Sequence, residues 1–100
     1  MNLTPHPIVV GIIIPPSGQV ARISCSYEEQ EPVEGYRVFR PVWGEPVGLP
    51  AAQDGTYYIV SAIVKAALPE RPDLLVPATG HPDARRNKEG QIISVPGFLR

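Results

Sequence analysis

The chain contains little cysteine and little excess charge. Cys25 is the only cysteine among 100 residues, which excludes an internal disulfide and any multi-cysteine metal site. Nine basic and ten acidic residues leave a net charge of -1, too little for a nucleic-acid coat or for membrane-surface binding through bulk charge. No apolar run is long enough to span a membrane, and Met1–Thr4 has no positive start typical of a signal peptide. We therefore expect a cytoplasmic protein without a membrane, DNA or RNA polymer as partner.

Catalytic motifs are also missing. There is no G-x-S-x-G and no H-E-x-x-H pattern, and His6 and His81 are not spaced as a metal-binding pair on a helix. Cys25 lies on the apolar face of an alternating run, where a packed and inert thiol is expected. The sequence thus predicts a protein that is not an enzyme and that has no metal and no cofactor.

Proline and glycine, by contrast, are abundant. The 13 prolines and nine glycines are spread between apolar runs, which indicates turns rather than disorder. The chain length predicts a single domain over residues 1–100 with a modest core. At its centre, Thr56–Val60 is typical of a buried strand. Ser61 is placed to cap the one short helix, near 62–68, which Pro69 ends.

The remaining apolar runs predict short strands. Residues 8–14 form a near-continuous apolar run, which favours a strand covered on both faces with a bulge or a close backbone approach at Gly11. Residues 19–27 alternate and should pair with it as a hairpin. Residues 28–35 are predicted to be an acidic loop, and further strands are predicted at 36–43, 74–76 and 91–95. The fold class is mostly β (a small α+β domain): about six short strands in a compact barrel- or sandwich-like sheet. Exposed strand edges predict a homo-oligomer.

The loop at 79–88 is the best candidate for a binding site. Arg85, Arg86 and Lys88 place three cations within four residues, and Arg binds phosphate through two parallel hydrogen bonds. Thr79 and Asn87 add polar groups, and a glycine-containing turn can offer backbone amides to an anion. The alternative for this loop is a mobile, solvated hairpin tip. The full set of predicted ligand-binding residues is Arg85, Arg86, Asn87, Thr79, Tyr57 and His6.

Several short motifs form a recognisable series. They are Asn2-Leu3-Thr4-Pro5-His6, Pro15-Pro16-Ser17-Gly18, Gly48-Leu49-Pro50, Tyr58-Ile59-Val60-Ser61, Arg71-Pro72-Asp73-Leu74 and Arg86-Asn87. The series resembles a group of small uncharacterised phage and prophage proteins with NLTPH near the start and YIVS in the middle. The resemblance covers nearly the whole chain and implies a viral origin and action in the host cytoplasm.

A viral origin suggests an anti-defence role. We expect a sponge that sequesters a nucleotide-derived host immune signal, such as a cyclic nucleotide or an ADP-ribose derivative. Such a ligand needs phosphate donors and an aromatic face for the base, and the pocket is expected between subunits. One alternative is a protein-binding phage inhibitor or virion-associated structural protein, with Trp43, Phe39 and Tyr36 as its apolar patch. A small nucleotide hydrolase is another alternative.

Overall fold

The computed structural model describes residues 1–100 and contains nine strands and one helix. In chain order these are β1 (Ile8–Val10), β2 (Ile12–Ile14), β3 (Cys25–Val33), β4 (Tyr36–Trp43), β5 (Tyr58–Ile59), α1 (Ala62–Ala67), β6 (Leu74–Pro77), β7 (Arg85–Arg86), β8 (Ile92–Ser94) and β9 (Phe98–Leu99). The prediction of a mostly-β chain with one short helix near 62–68 is confirmed.

The central strand and helix form the core. β5 pairs in parallel with β6, and α1 is the crossover between them. The Ser61 hydroxyl accepts a hydrogen bond from the Val64 amide, so the predicted N-cap is confirmed. Val60, Val64 and Leu74 are fully buried. A helix of this length is not stable alone in water, so its packing against β6 has to stabilise it.

The first residues close this core from one side. Leu3 is buried, and its amide donates to the Ile59 carbonyl at 2.8 Å. Asn2 is buried too, and its side-chain amide donates to the carbonyls of His6 and Ile14. Its side-chain oxygen accepts from the amide and hydroxyl of Thr4. The Asn2 side chain therefore gives the buried Thr4 amide its acceptor and also bonds to two carbonyls farther along the chain.

The strands are divided among several small sheets. β6 lies between β5 and β9 in one three-stranded sheet, while β1–β2, β3–β4 and β7–β8 are separate pairs. No closed barrel is found among them, so the predicted barrel- or sandwich-like sheet is not confirmed. Only 11 of 100 residues are buried, which agrees with the modest core expected for this length.

The run 8–14 differs from its prediction. It turns back on itself at Gly11, where φ is +78°, and β1 pairs with β2 as a tight hairpin. Ile12 and Ile13 are exposed, so the prediction of one strand covered on both faces is wrong. The predicted hairpin with 19–27 is also wrong, because Arg22 instead bridges Val47. Glycine at a positive φ turned the chain where a bulge had been expected.

Residues 25–43 form a long hairpin, which we call the arm. The rest, residues 1–24 and 44–100, we call the body. The predicted acidic loop at 28–35 is mostly strand β3, and the chain reverses at Glu34 and Gly35, both with positive φ. Such a two-residue turn matches the twist of the strands that it joins. The arm's strands pair only with each other.

The arm makes the molecule elongated. The radius of gyration is 16.0 Å, against about 13 Å for a compact domain of this length. Every residue of β3 is exposed. Cys25 is among them, so the expectation of a packed thiol is wrong. The alternating pattern predicted its strand, but alternation does not tell whether anything covers the apolar face.

Candidate functional site

A groove in the body joins distant parts of the chain. It has a volume of about 410 Å³, within the usual range of small-molecule sites. We call it the groove; it is lined by His6, Pro7, Ile8, Val9, Pro77, Thr79, Ile92, Ile93 and Val95. The Val95 amide donates to the Val9 carbonyl at 2.9 Å, which holds the two sides together. Two predicted site residues, His6 and Thr79, are therefore neighbours here despite their separation in sequence.

The character of the groove is mostly apolar. Its walls come from the β1 segment on one side and from β6 and β8 on the other. His6 and Thr79 are exposed and supply its polar side chains. The imidazole and the hydroxyl make no hydrogen bond within the chain, so both can contact a ligand. An apolar surface with a few polar groups is typical of a site for a planar, partly polar molecule.

Arg86 and Asn87 stabilise the loop next to the groove. The Arg86 guanidinium donates to the carbonyls of Gly90 at 2.8 Å and Thr79 at 3.2 Å. The Asn87 side-chain oxygen accepts from the amides of Glu89 and Gln91. These bonds occupy two donors of Arg86 and the acceptor oxygen of Asn87. The loop is thus an ordered turn, and only part of Arg86 is free for an anion.

Of the two arginines of β7, Arg85 is the one whose side chain makes no hydrogen bond or salt bridge within the chain. It lies opposite Ser94, and β7 pairs with β8, the strand that contributes Ile92 and Ile93 to the groove. Its side chain is exposed. The structure therefore brings His6 and Thr79 together in the groove, and it places Arg85 outside the lining, on the strand paired with β8.

Tyr57 lies apart from this region. It lines another depression of about 310 Å³, with Asp54, Asp73 and Arg100 among its other residues. The Arg100 guanidinium stacks over the Tyr57 ring at 5.6 Å from its centroid. This depression shares no lining residue with the groove, so one chain does not offer Tyr57 and Arg85 to the same small ligand.

The ion pair between Arg71 and Asp73 lies next to Tyr57 and links several segments of the chain. Arg71 contacts Asp73 through two hydrogen bonds of 2.6 and 3.1 Å, and also donates to the Pro50 carbonyl. The hydrogen bond from Arg71 lowers the pKa of the Asp73 carboxyl, and the same contact raises the pKa of Arg71. Since Arg71 also accepts a hydrogen bond from Lys65 through its carbonyl, the pair links the helix, the 50s loop and β6. Its role is structural.

The arm carries an aromatic cluster. Tyr27 and Phe39 meet edge to face with ring centroids 6.5 Å apart, and Trp43 follows on the same face of β4 because side chains alternate along a strand. Tyr36, which was grouped with Phe39 and Trp43 in the sequence, lies on the other face by the same alternation. Tyr27 was not among the predicted patch residues, although it follows Cys25 by two positions on the same face of an alternating run.

Comparison with known proteins gives no relative. No protein-family model, no curated protein and no solved structure matches the chain. None of its helices has the length and apolar character required to cross a membrane.

Proposed function

We propose that the chain binds a small anionic ligand of the nucleotide type in the groove and sequesters it without converting it. The observation that supports this proposal is the convergence of His6 and Thr79 in one groove, with Arg85 on the neighbouring strand pair. The apolar walls suit a base, and the arginine suits a phosphate, because its planar fork donates two parallel hydrogen bonds. The resemblance to phage and prophage proteins leads us to propose a nucleotide-derived host immune signal as the cargo.

The site is proposed to use Arg85, His6 and Thr79 directly. Arg86 and Asn87 hold the loop beside it through their bonds to backbone groups. Tyr57 has no part in this site within one chain, because it lies in the second depression. A base would therefore pack against the isoleucines of the groove rather than against a tyrosine.

Calorimetry and thermal unfolding with a panel of nucleotides test the proposal. The panel contains cyclic mono- and dinucleotides, ADP-ribose and inorganic pyrophosphate. A ligand present at a hundred times its Kd stabilises the folded state by about 2.7 kcal/mol, and recovery of the unaltered compound separates sequestration from hydrolysis. If no compound of the panel raises the unfolding temperature or gives heat of binding, the proposal is wrong.

Two substitutions locate the site once a compound binds. Arg85→Ala is expected to weaken binding about tenfold or more, since it removes a charge-assisted hydrogen bond. Arg22→Ala is the matched control: it removes the same charge from the body, and Arg22 lines a different depression. Equal binding by wild type and Arg85→Ala would remove this arginine from the site.

A second candidate function is binding to a protein. The exposed aromatic cluster on the arm favours it, because exposed apolar patches mark interaction surfaces. In this case no nucleotide would bind, and substitutions in the groove would leave activity unchanged while substitutions on the arm would abolish it. Infection assays with the two sets of variants separate the two functions.

A further inference from the structure

The two faces of the arm differ in their aromatic content: one carries Tyr27, Phe39 and Trp43, and the other carries Tyr36 beside valines and polar residues. Residues directly opposite each other in an antiparallel pair point to the same side. Cys25 lies opposite Trp43, Tyr27 opposite Pro41 and Glu29 opposite Phe39. We call this side the aromatic face. The other side carries the pairs Ser26–Val42, Glu28–Arg40 and Gln30–Val38.

The aromatic face is exposed along its length. Tyr27 is 72% exposed, Phe39 45% and Trp43 36%. No strand or helix of the body pairs with or covers the arm. A two-stranded hairpin is at best marginally stable in water and needs a further layer over its apolar side. A partner that covers the aromatic face would bury the apolar side chains that are exposed in the single chain.

The edges of the arm are poor sites for a further strand. Both strands contain a proline, Pro32 in β3 and Pro41 in β4. Proline has no N–H to donate to a ladder and occurs on strand edges where it prevents pairing. A bulge between Gln30 and Val33 interrupts β3 further. Association through these edges, as the sequence predicted, is therefore less favourable than association through the aromatic face.

The charges on the aromatic face suit a second copy of the chain. The Arg37 guanidinium donates to the Glu29 carboxylate at 3.1 and 3.2 Å and lies over the Phe39 ring, 4.9 Å from its centroid. On this face the Arg37 guanidinium and the Glu29 carboxylate neutralise each other. Two copies facing each other across a two-fold axis each present this pair to the other, so the acid of one copy can lie against the base of the other.

The surface area that two copies would bury limits the strength of their association. An aromatic side chain buries about 150–250 Å², so the exposed fractions of Tyr27, Phe39 and Trp43 amount to about 300 Å² in each copy. Two copies would bury about 600 Å² of aromatic surface, compared with about 1,600 Å² in a standard interface. This area fits a reversible dimer that dissociates on dilution.

We propose that the aromatic face of the arm binds the same face of a second copy, in a weak two-fold symmetric dimer. The proposal is independent of the ligand, because the groove lies in the body and shares no residue with the arm. The dimer can therefore be absent while the ligand binds in the groove, and the dimer can form while no ligand binds.

Sedimentation over a wide concentration range, without ligand, tests this dimer. Trp43 is the only tryptophan and lies in the proposed interface, so its fluorescence emission should shift to the blue as the dimer forms. Phe39→Glu is expected to raise the dimer Kd about tenfold or more, because it buries an unpaired charge. Val42→Glu is the matched control, on the opposite side of the same strand with a similar exposure of 41%.

Charge reversal provides a second, independent readout. Glu29→Arg gives each aromatic face two positive charges, and the dimer should weaken in a salt-sensitive manner. The added substitution Arg37→Glu restores an acid–base pair in the reversed order and should restore the dimer. All of these residues are exposed, so the variants are expected to fold.

Three results would overturn the proposal. The first is a chain that remains monomeric at every concentration with unchanged Trp43 emission; a different protein would then be the candidate occupant of the aromatic face. The second is equal weakening by Phe39→Glu and Val42→Glu, which would assign the contact to an edge or to the opposite face. The third is a dimer unaffected by Phe39→Glu, which would assign it to the body.

Discussion

The body and the arm are stabilised in different ways. In the body, Leu3, Val60 and Leu74 come from three distant parts of the chain and meet in one core. In the arm, each residue contacts its partner across a single tight turn, and no side chain is fully buried. The body is therefore the cooperative unit, and the arm depends on local pairing and on whatever covers it. Each prediction below tests this difference.

Leu74→Ala should have the largest effect on stability. Leu74 is fully buried between the helix and β5, and truncation of a buried leucine costs about 2–5 kcal/mol. Denaturant unfolding measures the loss. Leu99→Ala is the control, because Leu99 is 56% exposed on the outer strand of the same sheet. Similar losses for the two variants would mean that the core does not centre on Leu74.

Asn2→Ala should be the next most damaging change. It removes four hydrogen bonds and leaves the buried Thr4 amide without its acceptor. The cost of such unsatisfied buried groups is about 1–3 kcal/mol. Asn87→Ala is the comparison, since Asn87 also bonds to backbone amides but in an exposed turn. We expect its free energy of unfolding to fall by less than that of Asn2→Ala.

Asp73→Asn should destabilise the body by about 1–2 kcal/mol at neutral pH, because the charged pair with Arg71 is largely shielded from solvent. The pKa of Asp73 is lowered in the folded state. Its contribution is therefore fully present above the unfolded value of about 3.9 and is lost as pH falls through the folded value. Wild type and variant should converge in stability in acid.

A control for the pH effect is Asp83→Asn. Asp83 is 78% exposed and lies 4.0 Å from His81, so its removal should change stability by less than about 0.5 kcal/mol. A difference between wild type and Asp73→Asn that persists undiminished at low pH would show that the ion pair is not its source.

Removal of the arm should have the smallest effect on the body. The Gly44 amide donates to the Ser24 carbonyl at 2.9 Å, so the ends of the arm are adjacent and a two-residue Asn-Gly turn can replace residues 25–43. We expect cooperative unfolding at a midpoint close to that of the full chain, measured by circular dichroism. Loss of cooperativity would mean that the arm belongs to the core. Removal should also abolish the proposed dimer.

The central segment was the most predictable part of the fold. A β-branched and aromatic run, a serine cap and a following proline specify the strand–helix unit at Tyr58–Ala67 through local chemistry alone, and β4 was predicted with its observed bounds. The register of the arm was not predictable in the same way. Glutamates at 28–31 look like a solvated loop, and they remain solvated, but as exposed strand residues.

The candidate site was predictable only in part. His6 was predicted as a separate polar residue and Thr79 as part of the 79–88 loop, and tertiary structure brings the two together in the groove. Tyr57 was chosen for its ring, yet the adjacent buried Tyr58 turns it to the opposite side of β5 and into a different depression. Charge spacing could not tell Arg86, which is bound to carbonyls of its own loop, from Arg85.

The two regions also differ in when they can form during synthesis. The Leu3 amide finds its partner at Ile59, and Asn2 bridges that strand as well. The body therefore cannot close until the middle of the chain and then Leu74 have left the ribosome, several seconds at about 5–20 residues per second. The arm needs only its own residues, and hairpins form in about 1–10 μs. Nascent chains would thus display the aromatic face before they possess a core, so neighbouring copies on one messenger RNA could meet through their arms first.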